Sequence, residues 1–102
     1  MEQHTAWVEV DREALAHNLR QVRAFVAPEV RVLAVVKADA YGHGAVEASR
    51  AFVAAGADFL GVTRLEEALE LRRAGIEAPI LIFGAGLPAQ AREVVTHRLA
   101  QT

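Results

Sequence analysis

The chain has 102 residues, 53% of them hydrophobic, 24% charged, with a net charge of −2. That is one small domain with enough apolar residues for a core, and its scattered arginines form no basic cluster of the kind nucleic acid requires. The absence of cysteine excludes disulfides and thiolate metal sites.

Met1–Val10 carries Glu2 and Glu9 and no apolar core segment, so it does not read as a secretory signal. No apolar run approaches the ~20 residues that cross a bilayer. A soluble cytoplasmic protein is therefore expected. Val8–Val10 is predicted as a short strand. Asp11 then caps a helix with apolar residues at Leu15, Leu19, Val22 and Val26, and Pro28 ends it. This stripe is predicted to be core. Val32–Val36 is a continuous apolar run, as expected of a strand covered on both faces. After Gly42 and Gly44, Ala45–Ala55 is predicted as a helix closed by Gly56. Asp58–Val62 is a second core strand. The order Thr63-Arg64-Leu65-Glu66 is a capping box, opening a helix to about Ala74 that is closed by Gly75. Pro79–Phe83 is a third strand, and Pro88 begins a last helix to about Leu99.

Strands alternating with helices at short intervals imply parallel βαβ units with right-handed crossovers. Two architectures fit, a (β/α)8 barrel and an open doubly wound sheet. Three core strands complete neither, since a barrel takes ~250 residues. The chain is expected to be a truncated piece that stops at Thr102, before the fourth strand into which its last helix should lead.

Of eleven basic side chains only Lys37 is a lysine. Arginine stays protonated, so it cannot serve as a Schiff-base amine or general base; a lone lysine is either a chance remnant or a position where arginine fails. Lys37 directly follows the strand Val32–Val36, and the carboxyl end of a parallel strand is where active sites assemble. Apolar surroundings there are expected to desolvate the amine. Ala38 and Ala40 leave room for a planar group, and the turn through Gly42 and Gly44 could bring the Tyr41 hydroxyl to an anion. The plainer alternative is a snorkelling lysine beside a packing tyrosine. Gly84-Ala85-Gly86-Leu87-Pro88-Ala89 fits a dinucleotide fingerprint, but Pro88 removes a donor from the helix start, and a plain βα turn is the better reading. His4, His17, His43 and His97 have no i,i+4 pairing, so no metal site is expected. His43 is expected to shape its loop, and Asp39 to be a solvated loop carboxylate.

The stretch Ala34-Val35-Val36-Lys37-Ala38-Asp39-Ala40-Tyr41-Gly42-His43-Gly44 closely resembles the pyridoxal-phosphate (PLP) attachment motif of alanine racemases, with Asp39 where many members carry Asn. Trp7–Asp11 with Leu15–Leu19, Gly61-Val62 with Glu66–Leu69, and Gly75-Ile76 with Pro79–Leu81 extend the resemblance over residues 6 to 86. It implies a partial (β/α)8 TIM-type barrel: the first three βα units plus an N-terminal strand and helix. Residues 1–102 would be the N-terminal portion of the PLP-binding barrel domain, without the C-terminal β domain. The implied activity is that of an isomerase, interconverting L-alanine and D-alanine by a two-base mechanism to supply D-alanine for peptidoglycan, in a cytoplasmic homodimer. Lys37 would carry PLP as an imine and act as one base; Tyr41 would contact the cofactor phosphate. The second base and other cofactor ligands lie downstream in the family, so the 102 residues alone are expected to be inactive. Two alternatives stand beside this: a barrel-only PLP carrier, which lacks the Lys37–Gly44 string, and a serine or broad-specificity racemase.

Overall fold

The computed structural model describes residues 4–102. The reading of Met1–Val10 as no leader rests partly on residues 1–3, outside the described residues. The elements are α1 (Arg12–Phe25), β1 (Leu33–Val35), α2 (Ala45–Ala54), β2 (Phe59–Val62), α3 (Leu65–Arg73), β3 (Ile80–Ile82), a 3-10 turn (Pro88–Gln90), α4 (Ala91–Thr96) and β4 (Ala100–Gln101). A separate single turn, Lys37–Tyr41, lies between β1 and α2. Among the described residues no helix is long and apolar enough to cross a membrane.

The four strands pair in parallel in sequence order, β1-β2-β3-β4. This order decides between the two candidate architectures. A doubly wound sheet reverses its strand order so that helices cover both faces. A sheet that never reverses, with right-handed crossovers, puts its crossover helices on one face, as in a barrel wall. Burial follows this geometry. Ala34, Val36, Leu60, Val62, Ile80 and Ile82 alternate onto the helix-covered face and are buried against Ala48, Ala68 and Leu71. Leu33, Val35, Phe59 and Leu81, on the opposite face, are only partly covered. On that face Gly61 carries no side chain because none fits: a Cβ would stand 2.5 Å from Phe83 Cζ and 2.6 Å from Leu33 Cδ2.

Asp11 caps α1 as predicted, its carboxylate accepting from Glu13 N at 2.9 Å and Ala14 N at 3.2 Å. The α1 stripe is less buried than predicted. Leu19 is buried, Leu15 packs on the core and Val26 is half-buried, but Val22 is exposed, because α1 leans mainly on α2. Val8–Val10 forms no strand: no strand lies beside it among the described residues, and a segment without a ladder partner has nothing to hold it extended. The end of the chain also departs from prediction. The last helix stops at Thr96, and a fourth strand lies within the 102 residues. Arg98, at φ +55°, makes the reversal that glycine usually makes, so no sequence signal marks it.

Arg72 secures that reversal. Its guanidinium donates to the His97 carbonyl (2.8 Å), Arg98 carbonyl (3.2 Å), Ile76 carbonyl (2.9 Å) and Ala78 carbonyl (2.8 Å), joining the turns before β3 and β4. Replacing it with the apolar Met leaves these carbonyls without their charged donor. In the intact protein, Arg72→Met is expected to lower stability by about 1.5–3 kcal/mol, the range for hydrogen bonds to a charged group. Arg73→Met, at the exposed neighbouring position, should stay within about 0.5 kcal/mol. Denaturant midpoints measure both.

Candidate active site

The Lys37–Tyr41 turn begins where β1 ends. Val36 N donates to the Gly61 carbonyl at 2.8 Å, the last bond tying β1 to β2, and the chain then coils the opposite way from an ordinary helix. Ala38 (φ 51°, ψ 48°), Asp39 (56°, 42°) and Ala40 (54°, 46°) are left-handed, and Tyr41 has φ 56°. None is glycine, and each such residue costs roughly 1–2 kcal/mol in this conformation. The turn therefore persists only because its surroundings hold it. Ala40 N closes it onto the Val36 carbonyl at 2.9 Å, and Ala40 is buried. Gly42, at φ +89°, continues the left-handed path without a Cβ penalty and donates to the Ala38 and Asp39 carbonyls.

Asp39 is exposed, as expected from sequence, but it also has a partner that the sequence reading did not assign. Its Oδ1 accepts from Ala45 N, the first residue of α2, at 2.8 Å. Gly44 holds the capping position of α2 and has no side chain to offer, so Asp39 supplies the acceptor from outside the helix. His43 does shape the loop, its Nδ1 lying 2.9 Å from the Ala40 carbonyl.

Glu67 was missed as a member of this site. The capping box read from Thr63 and Glu66 is displaced by one residue: Glu67 Oε1 accepts from Thr63 N at 2.8 Å and Arg64 N at 2.9 Å. Its other oxygen accepts from Ala38 N at 2.6 Å, across to the Lys37–Tyr41 turn. Burial raises the Glu67 pKa, but the N–H groups of Ala38, Thr63 and Arg64, with the Arg64 charge, outweigh it and leave the carboxyl below its usual range. The acidic pair Glu66-Glu67 was visible in sequence; the contact across 29 residues was not.

The turn brings both sequence-predicted site residues together. Lys37 Nζ stands 6.0 Å from the centroid of the Tyr41 ring, at the outer limit of a cation–π contact. Among the described residues, neither the Lys37 amine nor the Tyr41 hydroxyl has a hydrogen-bond or ion-pair partner. Tyr41 is exposed and Lys37 partly so, so these residues do not supply the apolar enclosure expected around the amine. Lys37 follows closely on β1, whose Leu33 and Val35 lie on the apolar face that no helix covers among the described residues. An unpaired amine there can attack a carbonyl carbon, and a phenol beside it can donate to an anion.

The other candidates carry less. Gly84 and Gly86 are explained by packing, since a Cβ at Gly84 would strike the Thr63 carbonyl and one at Gly86 would lie 2.9 Å from Gln101 Oε1. The plain βα turn is the reading this packing supports. A cleft of about 700 Å³ between α1 and α2 contains neither Lys37 nor Tyr41. Its charges are matched within it, with Glu47 pairing both Arg12 at 3.1 Å and Arg50 at 2.9 Å.

A singly wound parallel sheet with an unpaired amine at the carboxyl end of its first strand is the wall of a (β/α) barrel of the enzyme-bearing kind. The family model for the N-terminal domain of alanine racemase matches residues 10–102, and the chain belongs to that family. The alanine racemase of Synechocystis sp. is 51% identical over 92 residues, covering 90% of this chain and 25% of that protein. The alanine racemase of Geobacillus stearothermophilus is 47% identical over 96 residues, covering 94% and 25%. The crystal structure of alanine racemase from Bacillus anthracis with bound L-Ala-P superposes with a TM-score of 0.96 at 40% identity, covering 100% of this chain and 26% of that one. The chain thus spans about a quarter of the length of the relatives it matches.

The Asp39 bond to α2 has a measurable consequence. Asp39→Ala in the intact protein is expected to cost about 1 kcal/mol, the usual loss for a helix-capping acceptor. Asp39→Asn keeps an acceptor oxygen and should stay within about 0.5 kcal/mol. Thermal or denaturant midpoints of the two variants separate capping from a solvated role.

Proposed function

We propose that this chain is the cofactor-anchoring part of a PLP-dependent alanine racemase, an isomerase interconverting L-alanine and D-alanine. The observation that carries the reading is the left-handed turn. It sets the chain's one lysine and its one tyrosine side by side, neither with a partner among the described residues, in a chain of the alanine racemase family. The residues fit the cofactor's chemistry: an amine for its aldehyde and a hydroxyl donor for its phosphate.

Lys37 Nζ is the atom that would hold PLP covalently, and Tyr41 the donor to its phosphate. Bound there, the cofactor supplies an electron sink that stabilises negative charge on the substrate Cα. The Lys37 amine, when free, would be the group that removes or returns the proton at Cα on the face used for the D-enantiomer. An amine can do this and a guanidinium cannot, which accounts for a lysine in a chain otherwise supplied with arginine. The base for the opposite face, and the remaining cofactor ligands, belong to the portion of the relatives beyond these residues. The 102 residues by themselves are therefore proposed to be inactive. D-alanine supply for peptidoglycan, a homodimeric assembly and a cytoplasmic location follow from the same family resemblance. Relatives near 50% identity are named alanine racemase, which favours that substrate over serine and an active enzyme over a carrier.

In the intact protein, borohydride reduction in the presence of PLP should leave a pyridoxyl group on the peptide containing Lys37. Lys37→Arg should lose both the adduct and racemisation while keeping the charge. Wild-type turnover in the Arg variant would overturn the assignment. Tyr41→Phe keeps the ring and removes the donor, and PLP titration should show binding weakened by about 1.5–3 kcal/mol. Unchanged affinity would make Tyr41 a packing residue.

A further inference from the structure

The left-handed turn is closed mostly from within. The Val36, Ala38, Asp39 and Ala40 carbonyls accept from Ala40, Gly42, His43 and Gly44, all inside the same stretch of chain. The exception is Ala38 N–H, which is held by Glu67 Oε2 at 2.6 Å from the first turn of α3. Among the described residues this is the one side chain from outside residues 36–45 that bonds the backbone of the turn. Ala38 N–H belongs to the peptide group that joins Lys37 to Ala38. Fixing it fixes ψ of Lys37 and φ of Ala38 together, the two dihedrals at which the chain leaves β1 and enters the left-handed region.

The carboxylate suits this task for a chemical reason. Its second oxygen is occupied by Thr63 N and Arg64 N, at 2.8 and 2.9 Å, so the group is itself anchored to the start of α3. Three backbone N–H groups converge on two oxygens, and an ionised carboxylate accepts on both while donating on neither. An amide in its place must turn its NH2 toward Ala38 N–H or toward Thr63 and Arg64, meeting donor with donor on one side. We infer that Glu67 is a positioning residue: by gripping the peptide after Lys37 it holds the strained turn and so sets where the Lys37 amine and Tyr41 hydroxyl stand. The inference rests on the functional reading proposed above.

The test uses the intact protein with Glu67→Gln, Glu67→Asp and, as a control, Glu66→Gln at the exposed neighbouring residue. Glu67→Asp keeps the charge and shortens the reach to Ala38. Thermal midpoint, PLP titration, the absorption band of bound PLP, and kcat and KM for alanine at saturating PLP are measured on each. The expected result is folded Glu67 variants with PLP binding at least about tenfold weaker and kcat about 10- to 100-fold lower, the scale of a reacting group displaced by an ångström, while KM moves much less. The absorption band should shift in both, and Glu66→Gln should match the unsubstituted protein. Folded Glu67 variants with unchanged PLP affinity and kcat would overturn the inference, as would failure of both to fold, which would make the carboxylate a folding element. If borohydride labels Lys37 in the unsubstituted protein while the Glu67 variants behave normally, the inference falls and the functional reading stands. No label in the unsubstituted protein would sink both.

Discussion

Four consecutive residues without glycine, Ala38 to Tyr41, run left-handed at the end of β1, and the candidate site depends on that conformation. At roughly 1–2 kcal/mol each, their combined cost approaches the whole stability of many small domains, so the turn cannot be a local preference of its sequence. It is imposed by what surrounds it: the β1–β2 ladder before it, buried Ala40 within it, the α2 start after it and the Glu67 carboxylate beside it. Strain held in this way is a frequent companion of sites that must present a side chain in one orientation.

The barrel architecture supplies the rest of the setting. Because the sheet winds in one direction, its helices leave one face uncovered among the described residues, and Lys37 stands at the carboxyl end of the first strand of that sheet. The helix-covered face carries the fully buried residues Val36, Leu60, Val62 and Ile80, so the strand that delivers Lys37 is held rigidly along its length. Arg72 and Asp58 perform similar duties at the opposite ends of the strands. Asp58 accepts from Val32 N at 2.8 Å and pairs with Arg23 at 3.2 Å, tying α1 to the start of β1. The division is clear: fixing at one end of the sheet, presentation at the other.

Much of this was legible in the sequence because it depends on local pattern. The apolar runs around Val36, Val62 and Ile82 gave strands in the right places, and Asp11 and Pro28 bounded α1 correctly. A lone lysine directly after an apolar run was enough to mark Lys37, and its family motif marked Tyr41. What was not legible depends on contacts distant in sequence. Asp39 is of a type that visits the left-handed region singly, but nothing in Ala-Asp-Ala-Tyr announces four such residues in a row. Glu67 looks like any acid in the first turn of a helix until Ala38 is placed beside it. Arg98 ends α4 without glycine because Arg72 holds the carbonyls there, and the predicted helix therefore ran too long. Val8–Val10 has the composition of a strand but lacks, among the described residues, a neighbour to pair with.

The most direct measurement is a high-resolution crystal structure of the intact protein with PLP bound. The expected result is positive φ at Ala38, Asp39, Ala40 and Tyr41, continuous electron density from Lys37 Nζ into the cofactor, and the Tyr41 hydroxyl within hydrogen-bond distance of its phosphate. A right-handed or extended Lys37–Tyr41 segment, or a cofactor joined to some other residue, would contradict the account.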